Sequence, residues 1–282
     1  ASKKQRKKPQ KTHWKIKVGK SKKSATLQAM TSMKLDLNEQ FQRACDLMEK
    51  TGRNVFITGR AGTGKSTLLN YFRNNTKKKV VVLAPTGVAA INVRGQTIHS
   101  FFGFKPGITL QGVKKKYKQE DEKNIFEKLE VIIIDEISMV RADLLDCVDK
   151  FLRLNGRDKN TPFGGIQMVF IGDLYQLPPV VTGQEKEIFK NHYKSPYFFS
   201  ANIFENFEME MIELEKIYRQ KDDEFIRLLN TIRNNSATAE DFAQLNERHN
   251  PSFEPEVGDF YICLTSTNDL ADQINHEQLQ KL

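Results

Sequence analysis

Cysteine is scarce in this sequence: Cys45, Cys147 and Cys263 lie far apart, odd in number and without a CxxC pair. That excludes a zinc ribbon or a disulfide framework and points to a reducing compartment. Long apolar runs are missing too. None approaches the ~18 residues needed to cross a bilayer, and no signal-type apolar stretch follows the N-terminus, so no membrane association is expected. Acids are absent from Ala1–Lys34, which carries twelve Lys or Arg. The other 32 cations face 35 acids, so the formal charge of +9 belongs to a tail on a slightly acidic body. A Lys-rich tail (1–34) with so few apolar residues should be disordered and should seek phosphates, or should act only as a solubilising or localising extension. No repeat of fixed period is visible. The GxGxxG signature is also missing, which disfavours a nicotinamide enzyme.

What is present suits two domains. The 282 residues exceed one ordinary domain, and 39% hydrophobic content suffices for a core. Val55–Thr58, Val80–Ala84, Val131–Asp135 and Met168–Gly172 are apolar throughout and rich in β-branched residues. Strands without alternation are expected where both faces are covered, as in a parallel sheet between helix layers. Leu144, Leu145, Val148, Phe151 and Leu152 mark one helix face, and Phe225, Ile226, Leu228, Leu229 and Ile232 another. The alternation predicts an α/β doubly wound fold. Gly103–Lys123 reads as a small insertion outside the core, and 250–258 as a loop before a strand at 260–264.

Three motifs carry chemistry. GRAGTGKST, Gly59 to Thr67, follows a strand and opens a helix, as G-x-x-x-x-G-K-[ST] requires. Its glycines let backbone N–H groups wrap phosphates, and the helix N-terminus favours negative charge. Gly59, Ala61, Gly62, Thr63, Gly64, Lys65, Ser66 and Thr67 are therefore the nucleotide-binding candidates. Lys65 is expected on the β- and γ-phosphates and the Ser66 hydroxyl on Mg²⁺. VIIIDEIS then sets Asp135 and Glu136 at the end of a buried strand, where α/β ligands bind. Asp135 would hold the Mg²⁺ shell, and Glu136 would polarise an attacking water. In FIGDLYQLPPV a strand ends at Asp173, and Gln176 precedes two prolines that forbid further ladder pairing. Gln176 is either a reporter of the γ-phosphate or a plain polar loop residue.

The order and content of these segments resemble superfamily 1B DNA helicases of the PIF (petite integration frequency) type, with RecD-like helicases as cousins. The resemblance runs from about Leu35 to Leu279. LNEQ, Leu37 to Gln40, resembles an adenine-reading Q motif with Gln40 on the base. APTGVAA (84–90) and GQTIHSFF (95–102) resemble segments that hold single-stranded DNA. Pro85, Thr86, Gly87, His99 and Phe101 are the DNA-binding candidates on that ground. PFGGIQ (162–167) precedes the Gln176 motif, and LEKIYRQ (214–220) resembles the segment whose arginine, here Arg219, reaches the γ-phosphate. Thr86 and Gly87 can offer a hydroxyl and an N–H to a phosphate without sequence choice. Phe101 and Phe102 would either stack on bases or pack in the core, and His99 would either meet DNA or satisfy a buried hydrogen bond.

The resemblance implies a P-loop, RecA-like parallel sheet with helices on both faces. Residues 35–207 would form the first RecA-like ATP-binding domain, with an insertion at about 103–125 where the family carries a duplex-splitting wedge. Residues 208–282 would begin a second such domain without its later motifs. It implies an ATP- and Mg²⁺-dependent 5′-to-3′ helicase or translocase acting in DNA repair, recombination or genome maintenance, telomeres included. The catalytic set would be Lys65, Glu136, Gln176 and Arg219. Partners would be single-stranded and forked duplex DNA, the protein a monomer, and its place intracellular: nucleus or mitochondrion in a eukaryote, cytoplasm in a bacterium. A chain that opens on Ala1 and lacks the later motifs is expected to be a fragment or processed product. It would then bind ATP and DNA yet serve poorly as a motor.

Overall fold

The computed structural model describes residues 38–115, 125–218, 223–253 and 262–280. The basic tail, Leu37, residues 116–124, Arg219, Gln220 and residues 260–261 therefore lie outside the described residues. The chain divides into two compact units, residues 1–217 and 218–282.

The first unit is built on a six-stranded sheet whose strand pairs all run parallel. In chain order the strands are β1 (Asn54–Gly59), β2 (Val80–Ala84), β3 (Gln96–Thr97), β4 (Val131–Ile134), β5 (Gln167–Ile171) and β6 (Met209–Leu214). Their spatial order is β3-β2-β4-β5-β1-β6. Successive side chains of a strand face opposite ways, so an all-apolar strand feeds two cores. Phe56, Ile132, Ile134, Met168 and Phe170 enter one core, and Val55, Ile57, Val131, Ile133, Val169 and Ile171 the other. This is the α/β RecA-like architecture expected for the chain, with helices against both faces.

Helix α1 (Glu39–Lys50) starts where the Asn38 side chain accepts a hydrogen bond from the Phe41 N–H at 2.8 Å. It buries Phe41, Ala44, Cys45 and Met48, a helical stripe, on the second core. Helix α2 (Lys65–Asn75) buries Leu68, Leu69 and Phe72 there as well. Helix α3 (Gly87–Asn92) follows β2, and α4 (Ile98–Phe102) follows β3. After α5 (Ile125–Lys128), α6 (Ala142–Asn155) covers the first core with the Leu144, Leu145, Val148, Phe151 and Leu152 face read from sequence. Helix α7 (Gly183–His192) precedes β6. In the second unit, α8 (Asp223–Arg233), α9 (Ala239–Asn246) and α10 (Asn268–Leu279) are the helices described. There Arg227 donates to Asp241 at 2.6 Å, and Leu228 is buried.

Three expectations change. The division expected at 207/208 precedes β6, which pairs with β1 along its whole length and so belongs to the first sheet. Gly103–Lys123 is not an insertion apart from the core over its described part. Phe104 stacks on Phe102 at 5.3 Å, Val113 is buried, and Lys150 Nζ donates to the Leu110 carbonyl at 2.8 Å. Residues 262–264 are irregular, where a strand was expected. Of the two alternatives for Phe102, stacking on bases or packing in the core, the structure shows the second: it is 1% exposed in a cluster with Phe104, Phe126 and Phe151. We expect Phe102→Ala to cost about 3–5 kcal/mol in chemical denaturation, the range for an emptied aromatic core site. A loss below 1 kcal/mol would contradict that packing.

Candidate active site at the strand ends

Strands β4, β5 and β1 are neighbours, so their C-terminal ends bring three loops to one edge of the sheet. That edge is where open α/β sheets bind ligands. The loop after β1 runs from Gly59 to Gly64 and wraps into α2. Gly62 and Gly64 have φ of 82° and 91°, the left-handed region open to glycine at no steric cost. Gly59 is required for a second reason: a Cβ there would lie 2.5 Å from the Leu214 carbonyl oxygen and 2.7 Å from Thr63 Oγ1. The buried Thr63 hydroxyl donates to the Arg60 carbonyl at 2.9 Å and pins the loop. Gly64 caps α2 without a side chain, so no cap hydrogen bond from a side chain occupies its first N–H groups. Ser66 and Thr67 sit in that first turn, and Ala61 at the loop's tip.

Lys65 folds back over this loop. Its Nζ donates to the Gly59 carbonyl at 2.7 Å and the Arg60 carbonyl at 3.1 Å. At the end of β4, Asp135 is 7% exposed. Burial first, then the Glu136 charge, push its carboxyl up to about 6, against the pull of Lys65. Burial and the neighbouring like charge outweigh Lys65 and leave the ionised form under-compensated, as befits a site for a cation. Asp135 and Ser66 therefore fit the Mg²⁺ expected from sequence. Among the described residues no cluster of three His, Cys, Asp or Glu could hold a metal by itself.

Glu136 is half-buried with φ 51° and ψ 44°, a left-handed position uncommon outside glycine. The end of β5 holds that turn in place. A Cβ on Gly172 would sit 2.9 Å from Ile137 Cγ2, so only glycine lets the two loops approach this closely. The next residue, Asp173, is buried; it accepts from the Tyr175 N–H at 3.1 Å and the Gln176 side-chain amide at 3.3 Å. Gln176 is thus exposed but tethered.

Gln40 lies on α1, its Oε1 accepting from the Glu215 N–H at 3.1 Å. It lines a cleft of about 420 Å³ with Asn38, Glu39, Glu215 and Lys216. The volume admits a purine. Glu215 and Lys216 lie in the LEKIYRQ segment, but nothing in the sequence set them beside Gln40; β6 docking on β1 carries them there.

The DNA-type residues divide. Pro85 and Thr86 follow β2, and the Thr86 hydroxyl accepts from the Ala89 N–H at 3.2 Å, which leaves its own proton to donate. Gly87 is exposed, and a Cβ there would meet nothing within 4 Å. Nothing in the fold therefore demands glycine at 87. His99 is half-buried; burial, then the Arg141 charge, hold its pKa below the ordinary value. Phe101 packs edge-to-face on Phe102 at 5.0 Å and Phe126 at 5.6 Å, so most of its ring serves the core. Arg219 lies outside the described residues.

Residues 36–242 match the family model of the PIF1-like helicase. The chain is similar to the ATP-dependent DNA helicase RRM3 of Saccharomyces cerevisiae, at 34% identity over 253 residues, covering 87% of this chain and 34% of that protein. It is 40% identical over 207 residues to the ATP-dependent DNA helicase PIF1 of Candida albicans, covering 70% and 23%. The solved Pif1 helicase from Bacteroides in complex with ADP-AlF3 and ssDNA superposes with a TM-score of 0.79 at 39% identity, over 86% of this chain and 57% of that one. A structure explaining DNA unwinding at forked dsDNA by two coordinating Pif1 helicases gives 0.75 at 39% identity, over 86% and 58%. This chain spans about a third or less of those curated relatives and under three fifths of the solved chains.

Proposed function

This chain belongs to the PIF1-like helicase family, and on that premise we propose that it is the ATP-hydrolysing part of a helicase that moves 5′-to-3′ along single-stranded DNA. The observation that carries the reading is the meeting of Lys65, Asp135 and Glu136 at the ends of β1 and β4, on either side of β5, with the Gly59–Gly64 cradle opening beside them. ATP is the substrate, its adenine in the Gln40 cleft and its phosphates in the cradle. Ser66 and Asp135 would hold a Mg²⁺ ion, which would supply charge neutralisation for the phosphates. Lys65 exchanges loop carbonyls for those oxygens. Glu136 takes the proton of the attacking water, and Gln176, tethered by Asp173, senses whether the γ-phosphate is present. Arg219, outside the described residues, is assigned to the γ-phosphate by the family resemblance alone.

Thr86 and Gly87 supply the grip on the DNA backbone, joined by Pro85 and His99. Repeated opening and closing of the nucleotide site then ratchets the strand. Forked duplex DNA is the physiological substrate on this reading, in the nucleus or mitochondrion of a eukaryote or the cytoplasm of a bacterium. Hydrolysis measured with and without oligothymidine tests the reading, followed by strand displacement on 5′- and 3′-tailed duplexes. A rate indifferent to DNA, or displacement from the 3′ tail, would sink it.

Gly87 gives a sharper test. Gly87→Ala meets no steric conflict, and alanine at a compatible helical position stabilises by about 0.4–1 kcal/mol. The added methyl should nonetheless hold a phosphate off the exposed N–H. We expect single-stranded DNA binding, read by anisotropy, to weaken about tenfold, equivalent to ~1.4 kcal/mol. Unaltered affinity would remove Gly87 from the DNA contact.

A further inference from the structure

Helix α2 begins at the phosphate cradle and ends where the two DNA-type segments meet. Its last turn carries Arg73, whose guanidinium donates to the Val93 carbonyl at 2.6 Å and the Arg94 carbonyl at 3.0 Å. Those carbonyls belong to the turn that closes α3. There the Arg94 N–H donates to the Ile91 carbonyl and the Gly95 N–H to the Ala90 carbonyl at 2.8 Å. Arg94 has φ 51°, a left-handed conformation that a non-glycine residue holds only at a cost. Gly95 is pressed against β2, since a Cβ there would lie 2.3 Å from the Val82 carbonyl oxygen. The turn therefore cannot shift toward the sheet, and Arg73 closes it from the other side.

The position of this turn gives it meaning. Upstream, α3 leads back to Thr86 and Gly87. Downstream, Gly95 opens directly into β3 and α4, which carry His99 and Phe101. A planar fork that engages two carbonyls at once fixes orientation as well as distance. No helix-stabilising purpose requires it to come from α2, because carbonyls at a helix end are as well served by a glycine cap or by water.

We propose that Arg73 is a positioning residue that couples the nucleotide loop to the DNA grip: α2 acts as a lever whose first turn holds phosphate and whose last turn sets the junction of the 84–90 and 95–102 segments. This rests on the function proposed above and adds the route by which the two sites influence each other inside the first unit. Arg73 touches neither ligand. Its loss should leave each site able to bind while uncoupling them.

The test measures oligothymidine affinity of the whole chain in ADP and in a non-hydrolysable ATP analogue, for the parent, Arg73→Met and Arg73→Lys. The parent should show a ratio of affinities of about fivefold or more, the usual scale of coupling between sites. Arg73→Met should bring that ratio close to one, with fluorescent-ATP affinity and DNA-free hydrolysis within about twofold of the parent, well under that scale. Arg73→Lys keeps the charge but replaces the planar fork with a flexible point charge that does not fix orientation, so it should fall between. A ratio kept intact in Arg73→Met, with or without a lower melting temperature, would show the contact to be merely structural and overturn the proposal. A parent with DNA affinity but no nucleotide dependence would overturn it too, while a parent without DNA affinity would overturn the functional reading beneath it.

Discussion

Lys65→Ala should abolish ATP hydrolysis while moving the melting temperature by no more than a few degrees. The ammonium group is partly buried over its own loop and bonds the Gly59 and Arg60 carbonyls, so it fills no place in either apolar core. Removing it leaves two loop carbonyls that water can satisfy at the edge of the sheet, a modest cost to stability. Its loss is severe for phosphate chemistry. A positioned charge that meets charge developing in the transition state contributes about a hundredfold to a thousandfold each. A coupled phosphate-release assay with saturating oligothymidine would measure the rate, and thermal unfolding would check the fold. Near-normal turnover in a folded variant would remove the phosphate-loop assignment.

Glu136→Gln should bind ATP as well as the parent and hydrolyse it slowly. Glutamine keeps the size of the side chain and tolerates the same left-handed backbone, so the turn against Gly172 is undisturbed. It cannot accept a proton from water, and losing a general base costs about a hundredfold to ten-thousandfold. Nucleotide affinity should hold for an electrostatic reason. The Glu136 charge is one of the causes that push the Asp135 carboxyl up to about 6. Taking that charge away favours ionised Asp135, the form that receives a cation. Titration with a fluorescent ATP analogue and single-turnover hydrolysis separate the two effects. If binding collapsed while the chemistry of the bound fraction held, Glu136 would belong to the metal shell and another group would be the base.

Local readings succeeded wherever the physics was local. Residues 131–134 read as a buried strand because an unbroken apolar run fits only a sheet covered on both faces, and β4 is that strand. The stripe from Leu144 to Leu152 repeated at helical spacing and forms the buried face of α6. Strand β6 escaped because an edge strand buries little: Ile212 and Leu214 are buried beside exposed Met211 and Glu213. Missing it moved the expected boundary before the strand and hid Glu215 and Lys216 from the Gln40 cleft. Phe102 was left with two readings, and the 104–113 segment was misread, for a related reason. An aromatic beside a DNA-type motif looks the same in sequence whether its partner is a base or Phe151, and only the packed neighbours decide.

The sequence by itself determined which loops carry this protein's candidate site. GRAGTGKST, the Asp135–Glu136 pair and Gln176 each need a strand end, and apolar runs of the right length preceded all three. Tertiary structure alone decided which strand ends are neighbours. The order β4-β5-β1 sets Asp135 within the field of Lys65, although the residues are far apart in the chain. It also decided which glycines are needed by the fold and which are free of it, since Gly59, Gly95 and Gly172 face backbone or side chains from distant segments and Gly87 faces none. The physical reason is the same in each case. Motif residues are specified by the bonds they make to a ligand or to their own turn, which lie within a few positions. Close approaches between segments depend on strand order and register, and these emerge only when the two cores are packed.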